Sequence, residues 1–143
     1  MKPTDLRSEI DHQFNPTRWT PRIASDDFIP AHVEFSENQS SRFKSELSSA
    51  ELSTISYTYR DTLQEIDVYR PGNVPEGAPI VVYIHGGWWQ WFSKEMFAFI
   101  AQPFTHAGLA VYMPAYTLAQ DWNGPEAMTQ ITEQLEQAML KIS

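Results

Sequence analysis

The sequence predicts one α/β domain built around a sheet that is partly parallel. From residue 53 onward, short runs of β-branched and aromatic residues alternate with segments of helical periodicity, the order typical of βαβ units. One of these runs, residues 80–84, is apolar at every position, which indicates a strand in the middle of a sheet that helices cover on both sides. The chain length of 143 residues is within the size range of a single domain.

The first 52 residues differ in character from the rest. They are polar and rich in serine, and we expect them to form a helical and loop elaboration (residues 1–52) on the α/β part (residues 53–143). Apolar side chains share one helical face in residues 6–14, so a short helix is predicted there. Residues 28–47 are predicted to contain further helix, although their apolar periodicity is poor.

Four strands are predicted in the second part. Residues 53–60 and 64–70 read as a hairpin with a short link, and a loop rich in proline and glycine follows at residues 71–79. The next two strands are expected within residues 79–85 and 109–113. We expect one mixed sheet in which the hairpin is antiparallel and the last two strands are parallel.

Two helices are predicted to pack on this sheet. Ser93 is the predicted N-cap of a helix through residue 105, with a kink expected at Pro103 and a stop at Gly108. The second helix is expected from Pro125 to residue 142, because proline is favoured at the first helical position. Its apolar side chains recur at helical spacing: Met128, Ile131, Leu135, Ala138 and Ile142.

Composition excludes several classes of function. A formal net charge of −8 argues against nucleic acid or an anionic membrane as a partner. The chain has no cysteine, which excludes thiolate zinc sites and cysteine nucleophiles. The histidines are isolated and the glycine motifs of nucleotide sites are missing, so no metal and no cofactor is expected. No membrane-length apolar run and no signal peptide is visible, so a cytoplasmic protein is expected.

One motif bears on chemistry. The stretch HGGWWQ at residues 85–90 comes directly after the strand at 80–84 and before a helix. Parallel sheets bind ligands at the carboxyl ends of their strands. Two adjacent glycines, Gly86 and Gly87, allow a sharp turn whose N–H groups stay uncovered, and such groups are the donors of an oxyanion hole. A plain tight turn is the alternative interpretation.

The other side chains of this stretch receive supporting roles. His85 is interpreted as a residue that hydrogen-bonds the loop and fixes its shape, not as a catalytic base. Trp88, Trp89 and Trp91 place three indoles within four positions. We interpret them as a cleft wall, with packing in the core as the alternative.

Residues 80–119 resemble the arylformamidase (kynurenine formamidase) branch of the α/β-hydrolases, above all in HGGWWQ and in the Ser93-Lys94-Glu95 that follows. The segments 13–19 and 65–69 are similar to further parts of that family. The resemblance implies an α/β-hydrolase fold and hydrolysis of N-formyl aromatic amides, or of small aryl esters, by a Ser–Asp–His triad.

Carried to this chain, the resemblance implies roles for individual residues. The backbone N–H groups of Gly87 and Trp88 would be the oxyanion donors, with His85 and Gly86 shaping the loop. Trp89 and Tyr116 would lie beside the substrate, a small aromatic amide or ester.

No G-x-S-x-G motif occurs in the sequence, so no nucleophile elbow and no triad residue is assigned. We therefore expect an incomplete α/β-hydrolase domain that is inactive alone. An unpaired edge beside the strand at 80–84 is expected to cause self-association or dependence on a complementary chain. A non-catalytic fragment or binding protein derived from the fold and a general carboxylesterase remain as alternatives.

Overall fold

The structure is a computed structural model that describes residues 8–10, 13, 25–119 and 126–143. The chain divides into two compact units, Met1–Ser36 and Glu37–Ser143. Residues 8–10 and 13 are helical, and the remainder of the helix expected over 6–14 lies outside the described residues. The regular elements are α1 (Ser25–Glu46), β1 (Leu52–Tyr59), β2 (Thr62–Tyr69), β3 (Ile80–Val82), a 3₁₀ helix (Glu95–Ile100), α2 (Ala101–His106), β4 (Ala110–Pro114) and α3 (Ala127–Ile142).

The sheet has four strands in the order β1-β2-β4-β3. β2 is antiparallel to both of its neighbours, whereas β3 and β4 are parallel, which confirms the predicted mixed sheet. β3 is shorter than predicted, but its pairing continues by one residue because the Tyr83 N–H donates to the Tyr112 carbonyl (2.9 Å). Among the described residues β3 is an edge strand, as expected from the unpaired edge predicted beside residues 80–84, although its apolar sequence is typical of a strand in the middle of a sheet.

The hairpin link is tighter than predicted. Tyr59 pairs with Thr62, which leaves only Arg60 and Asp61 in the turn. Arg60 adopts a φ of 53°, in the left-handed region that two-residue hairpin turns require.

Both faces of the sheet are covered within the second unit. On one face, the rings of Tyr57 and Tyr59 from β1 and the side chains of Ile66 and Val68 from β2 pack with Ala138 of α3. Asp67 and Tyr69 of β2 lie on the opposite face of the sheet, because successive side chains of a strand point to alternate faces. Lys94, which follows the loop described below, contacts Asp67 on that second face.

The apolar periodicity of α1 is poor because polar side chains occupy some of its buried positions. Its last turns bury a polar side chain as well as an apolar one. The Ser40 hydroxyl donates to the Met96 carbonyl (2.7 Å) and accepts the Phe99 N–H (3.2 Å), while Phe43 packs on the ring of Tyr69. A serine at a core position weakens the apolar stripe without weakening the packing.

The crossover helix differs from its prediction in two ways. It begins as a 3₁₀ helix whose N-cap is Lys94, with no side-chain cap, so the prediction of Ser93 as the N-cap was wrong. Pro103 falls in the first turn of α2 and not in the last turn of one long helix. Proline is tolerated in a first turn, because its missing N–H has no intrahelical acceptor there. The chain changes from 3₁₀ to α geometry instead of kinking.

α3 buries a face that is rotated from the predicted one. Ile131 and Ala138 are buried as expected, but Met128 is exposed, and Gln130 and Gln134 are buried. The predicted start at Pro125 lies outside the described residues, and the described helix begins at Ala127. Among the described residues, no helix is long and apolar enough to cross a membrane.

Candidate active-site loop

The loop of residues 85–92 leaves β3 at the carboxyl end of the parallel pair. Within the loop, the Gly87 carbonyl oxygen accepts two hydrogen bonds, from the N–H groups of Gln90 (3.0 Å) and Trp91 (2.9 Å). Four of its residues have a positive φ: Gly87 (119°), Trp88 (56°), Trp89 (63°) and Phe92 (74°). A left-handed conformation costs a residue with a side chain ~1–2 kcal/mol, and such strain clusters at functional sites.

Gly87 has no room for a side chain. A Cβ atom at this position would lie 2.8 Å from the Trp91 carbonyl carbon and 2.9 Å from Cδ2 of Phe92. Both contacts are closer than real Cβ atoms make, and a φ of 119° is strained for any other residue. At Gly86, by contrast, a Cβ would meet nothing within 4 Å. Of the two glycines, the structure therefore requires only Gly87.

Within the loop, the Gly87 carbonyl oxygen is the acceptor and the N–H groups of Gln90 and Trp91 are the donors. Within the part of the chain that the structure describes, the N–H groups of Gly87 and Trp88 donate to no acceptor. Oxyanion holes are built from backbone N–H donors, and the assignment of Gly87 and Trp88 to one stays a prediction.

His85 is buried and fixed from several sides. Its ring lies between Tyr116, with centroids 4.3 Å apart, and Phe97, with centroids 6.4 Å apart. Its Nδ1 lies 2.9 Å from the Gly86 carbonyl oxygen. Because a carbonyl oxygen can only accept, this contact assigns the proton to Nδ1. The imidazole therefore stabilises the first turn of the loop by donating a hydrogen bond to the Gly86 carbonyl.

The electrostatics of His85 favour a neutral ring. Burial lowers the pKa of the imidazole and outweighs the hydrogen bond to Gly86, which raises it. Burial also raises the pKa of Tyr116 to about 12, so its phenol stays protonated and donates to the His85 carbonyl oxygen (2.9 Å).

The loop that follows β4, residues 115–119, also contacts the HGGWWQ loop. The Ala119 N–H donates to the Trp89 carbonyl (2.6 Å), and the Tyr116 ring packs against the Trp89 indole. This second loop is itself anchored, because the Thr117 N–H donates to Oε1 of the buried Gln134 (3.0 Å). Trp89 thus lies at the junction of the two loops. Tyr116 is buried behind them, and its predicted contact with a substrate stays a prediction.

The three indoles of the loop are not core residues. Trp88, Trp91 and Trp89 are 71%, 51% and 37% exposed. Their exposure is what a wall of aromatic surface beside the loop requires, and it leaves the core to other side chains.

Sequence reasoning missed an ion-pair cluster just beyond the loop. Nζ of Lys94 lies 2.7 Å from Oδ1 of Asp67, 2.8 Å from Oε1 of Glu95 and 3.9 Å from Oε2 of Glu65. Burial by itself would lower the pKa of Lys94, but the hydrogen bonds to Asp67 and Glu95 outweigh it and raise that pKa. Burial by itself would raise the pKa of Glu95, but hydrogen bonds with Lys94, Ser93 and its own backbone N–H lower that pKa to about 2. The only signal in the sequence was a lysine close to the apolar segment 96–101.

The described residues contain no group of three or more His, Asp or Glu side chains placed to bind a metal ion.

Proteins named kynurenine formamidase are similar to this chain over most of its length. The zebrafish (Danio rerio) protein is 34% identical over 113 residues, which cover 79% of this chain and 38% of that protein. The salmon (Salmo salar) protein is 31% identical over 125 residues, which cover 87% of this chain and 42% of that protein. The predicted resemblance to kynurenine formamidases is confirmed. The chain spans less than half the length of these kynurenine formamidase relatives.

A solved structure supports the fold. A crystal structure from a Silicibacter species, described as that of a thioesterase, superposes with a TM-score of 0.75 and 23% sequence identity. The match covers 94% of this chain and 47% of that one, so the chain shares a hydrolase-type α/β fold. No protein-family model matches the chain.

Proposed function

We propose that this chain forms the oxyanion-binding part of an arylformamidase-like serine hydrolase with an α/β-hydrolase fold. The observation that carries the proposal is the conformation of the HGGWWQ loop, which closes on the Gly87 carbonyl and leaves the N–H groups of Gly87 and Trp88 outside its own bonds. The similarity to kynurenine formamidases supports the assignment, because it covers most of the chain.

The chemistry follows from those two donors. A nucleophile adds to the carbonyl carbon of an N-formyl aromatic amide, and negative charge develops on the carbonyl oxygen. N–H groups that are already positioned stabilise this charge without reorganising during the reaction. Each donor of this kind contributes ~10²–10³-fold to the rate.

The substrate that suits this loop is aromatic. Trp88, Trp89 and Trp91 offer indole surface beside the donors, and aromatic rings pack on one another with favourable geometry. We propose a small N-formyl aryl amide of the N-formylkynurenine type, with small aryl esters as weaker substrates.

The nucleophile is not among these residues, because no G-x-S-x-G motif occurs in the sequence. We propose that a serine outside these 143 residues completes the site. The chain by itself is then expected to show no turnover of N-formylkynurenine or p-nitrophenyl acetate above the buffer rate, since the loop alone provides no covalent catalysis.

A chimaera tests the proposal. The matched segment of this chain replaces its counterpart in the zebrafish kynurenine formamidase, and hydrolysis of N-formylkynurenine is measured with saturation kinetics. We expect the chimaera to be active and to prefer the formyl amide over p-nitrophenyl acetate. A chimaera that is folded by circular dichroism but inactive would contradict the proposal.

Two other functions make different predictions. A general carboxylesterase would favour p-nitrophenyl acetate in the same chimaera. A non-catalytic binding protein derived from the fold would bind N-formylkynurenine as the isolated chain, while its chimaera would remain inactive.

A further inference from the structure

Lys94 is the one buried lysine or arginine side chain in the part of the chain that the structure describes. It is 4% exposed, and its principal partner, Asp67 of β2, is 7% exposed. Burying a pair of charges is costly, and replacing such a pair by apolar side chains is often neutral for stability. The energy of folding alone therefore gives no reason to keep a charged pair at this place.

The position of the pair suggests what it does. Asp67 pairs in register with Met113 of β4, and β4 lies between β2 and β3. Lys94 follows the strained loop that leaves β3, with only Ser93 between it and Phe92. Its side chain therefore links the end of that loop to a strand two positions away in the sheet. The 2.7 Å contact between Nζ and Oδ1 fixes this link to one geometry.

The loop needs an anchor at this end. Its first residue, His85, is fixed by Tyr116 and Phe97, and its middle by the bond from Ala119 to Trp89. Trp88, Trp89 and Phe92 hold left-handed conformations that a loose loop would relax. The cluster around Lys94 is the next fixed point along the chain.

We propose that Lys94 is a positioning residue, which sets the conformation of the HGGWWQ loop through its buried pair with Asp67. The importance of this role for catalysis rests on the function proposed above, but the loop geometry is measured without it. Lys94 itself touches no reacting atom in this account.

The test separates loop geometry from global stability in the isotope-labelled chain. Lys94→Met keeps the aliphatic stem but leaves Asp67 buried without its cation, and Lys94→Met/Asp67→Leu removes both charges. The urea midpoint reports global stability. The amide resonances of Gly87 and Trp88 report the loop conformation, and hydrogen exchange at the bonded Trp91 and Ala119 amides reports its opening.

We expect the double variant to recover most of the urea midpoint that Lys94→Met loses. Its loop resonances should remain shifted, and exchange at Trp91 and Ala119 should rise by about an order of magnitude or more. Lys94→Arg should retain the loop resonances of the parent chain. As a matched control, Arg42→Met removes an exposed ion pair with Glu46 and should change neither reading.

A double variant with the parent's loop resonances and exchange rates would overturn the proposal and make the pair merely structural. If the double variant does not fold, Lys94→Met/Asp67→Asn decides in the same way, because it removes the ion pair but keeps an oxygen at position 67 that can accept the Thr54 hydroxyl. Shifted loop resonances together with an inactive chimaera would refute the proposed function while leaving the positioning role intact.

Discussion

The imidazole of His85 and the phenol ring of Tyr116 stack with their centroids 4.3 Å apart and their planes within 9°. The two residues lie in the loops that follow the two parallel strands, β3 and β4, and the Tyr116 hydroxyl also donates to the His85 carbonyl. Neighbouring loops that follow parallel strands are thus joined by ring contact and by a hydrogen bond. The candidate site is built on this junction.

The first prediction concerns the two glycines of the loop. Gly87→Ala should destabilise the chain by about 2 kcal/mol or more, because it adds a clash with Trp91 to a strained φ. Gly86→Ala, in open space, should change stability by no more than about 0.5 kcal/mol. Urea unfolding of the two variants measures the difference. Equal losses would mean that the loop is not shaped as described.

The second prediction concerns pH. The folded chain lowers the pKa of His85, so below about pH 6.5 the unfolded chain binds a proton that the folded chain resists. Stability should therefore fall as the pH drops from about 6.5 toward the folded pKa, by at most about 1.4 kcal/mol per pH unit from this group. His85→Asn should flatten this dependence, whereas the exposed control His106→Asn should not. Urea midpoints between pH 5 and 7.5 provide the measurement, and equal slopes in both variants would contradict the assignment.

The third prediction concerns the edge of the sheet. Ile80 and Ile84, 42% and 38% exposed, lie along or next to β3, whose outer edge is unpaired among the described residues. We expect concentration-dependent self-association of the isolated chain in sedimentation velocity. Ile84→Lys should weaken it, because a lysine at a strand edge opposes pairing with another chain.

Leu63→Lys is the control for that experiment. Leu63 is exposed at the hairpin end of β2, away from β3. A monomeric parent chain, or equal weakening by both substitutions, would argue against association through β3.

Local sequence patterns predicted the order and pairing of the strands and the position of the loop, but not the short length of β3. The β-branched and aromatic runs predicted the antiparallel hairpin and the parallel pair, and HGGWWQ predicted where the loop lies. These features are local, because each depends on residues that are close together in the sequence.

The remaining features depend on contacts between distant positions. Lys94 and Asp67 are 27 positions apart. In the sequence alone, neither residue can be told from a charged residue on the surface. The left-handed conformations of Trp88 and Trp89 contradict the preference of bulky residues, so no propensity could have predicted them. Gln134 is buried and accepts the Thr117 N–H, a contact between α3 and the loop after β4 that no local pattern predicts.

The central claim is that backbone N–H groups of this loop bind the oxyanion, and an amide-to-ester exchange tests it most directly. Placing glycolate at position 87 of the active chimaera, or the tryptophan α-hydroxy analogue at position 88, replaces the N–H by an ester oxygen and retains the side chain. Gly87→Pro would be a poorer test, because proline cannot adopt a φ of 119°. Glycolate at Gly72, in the loop before β3, is the control for the exchange itself.

We expect each ester at position 87 or 88 to lower kcat for N-formylkynurenine by about 10²–10³-fold, and the ester at position 72 to leave it unchanged. A folded chimaera that carries either loop ester and keeps kcat within about tenfold of its parent would contradict the account.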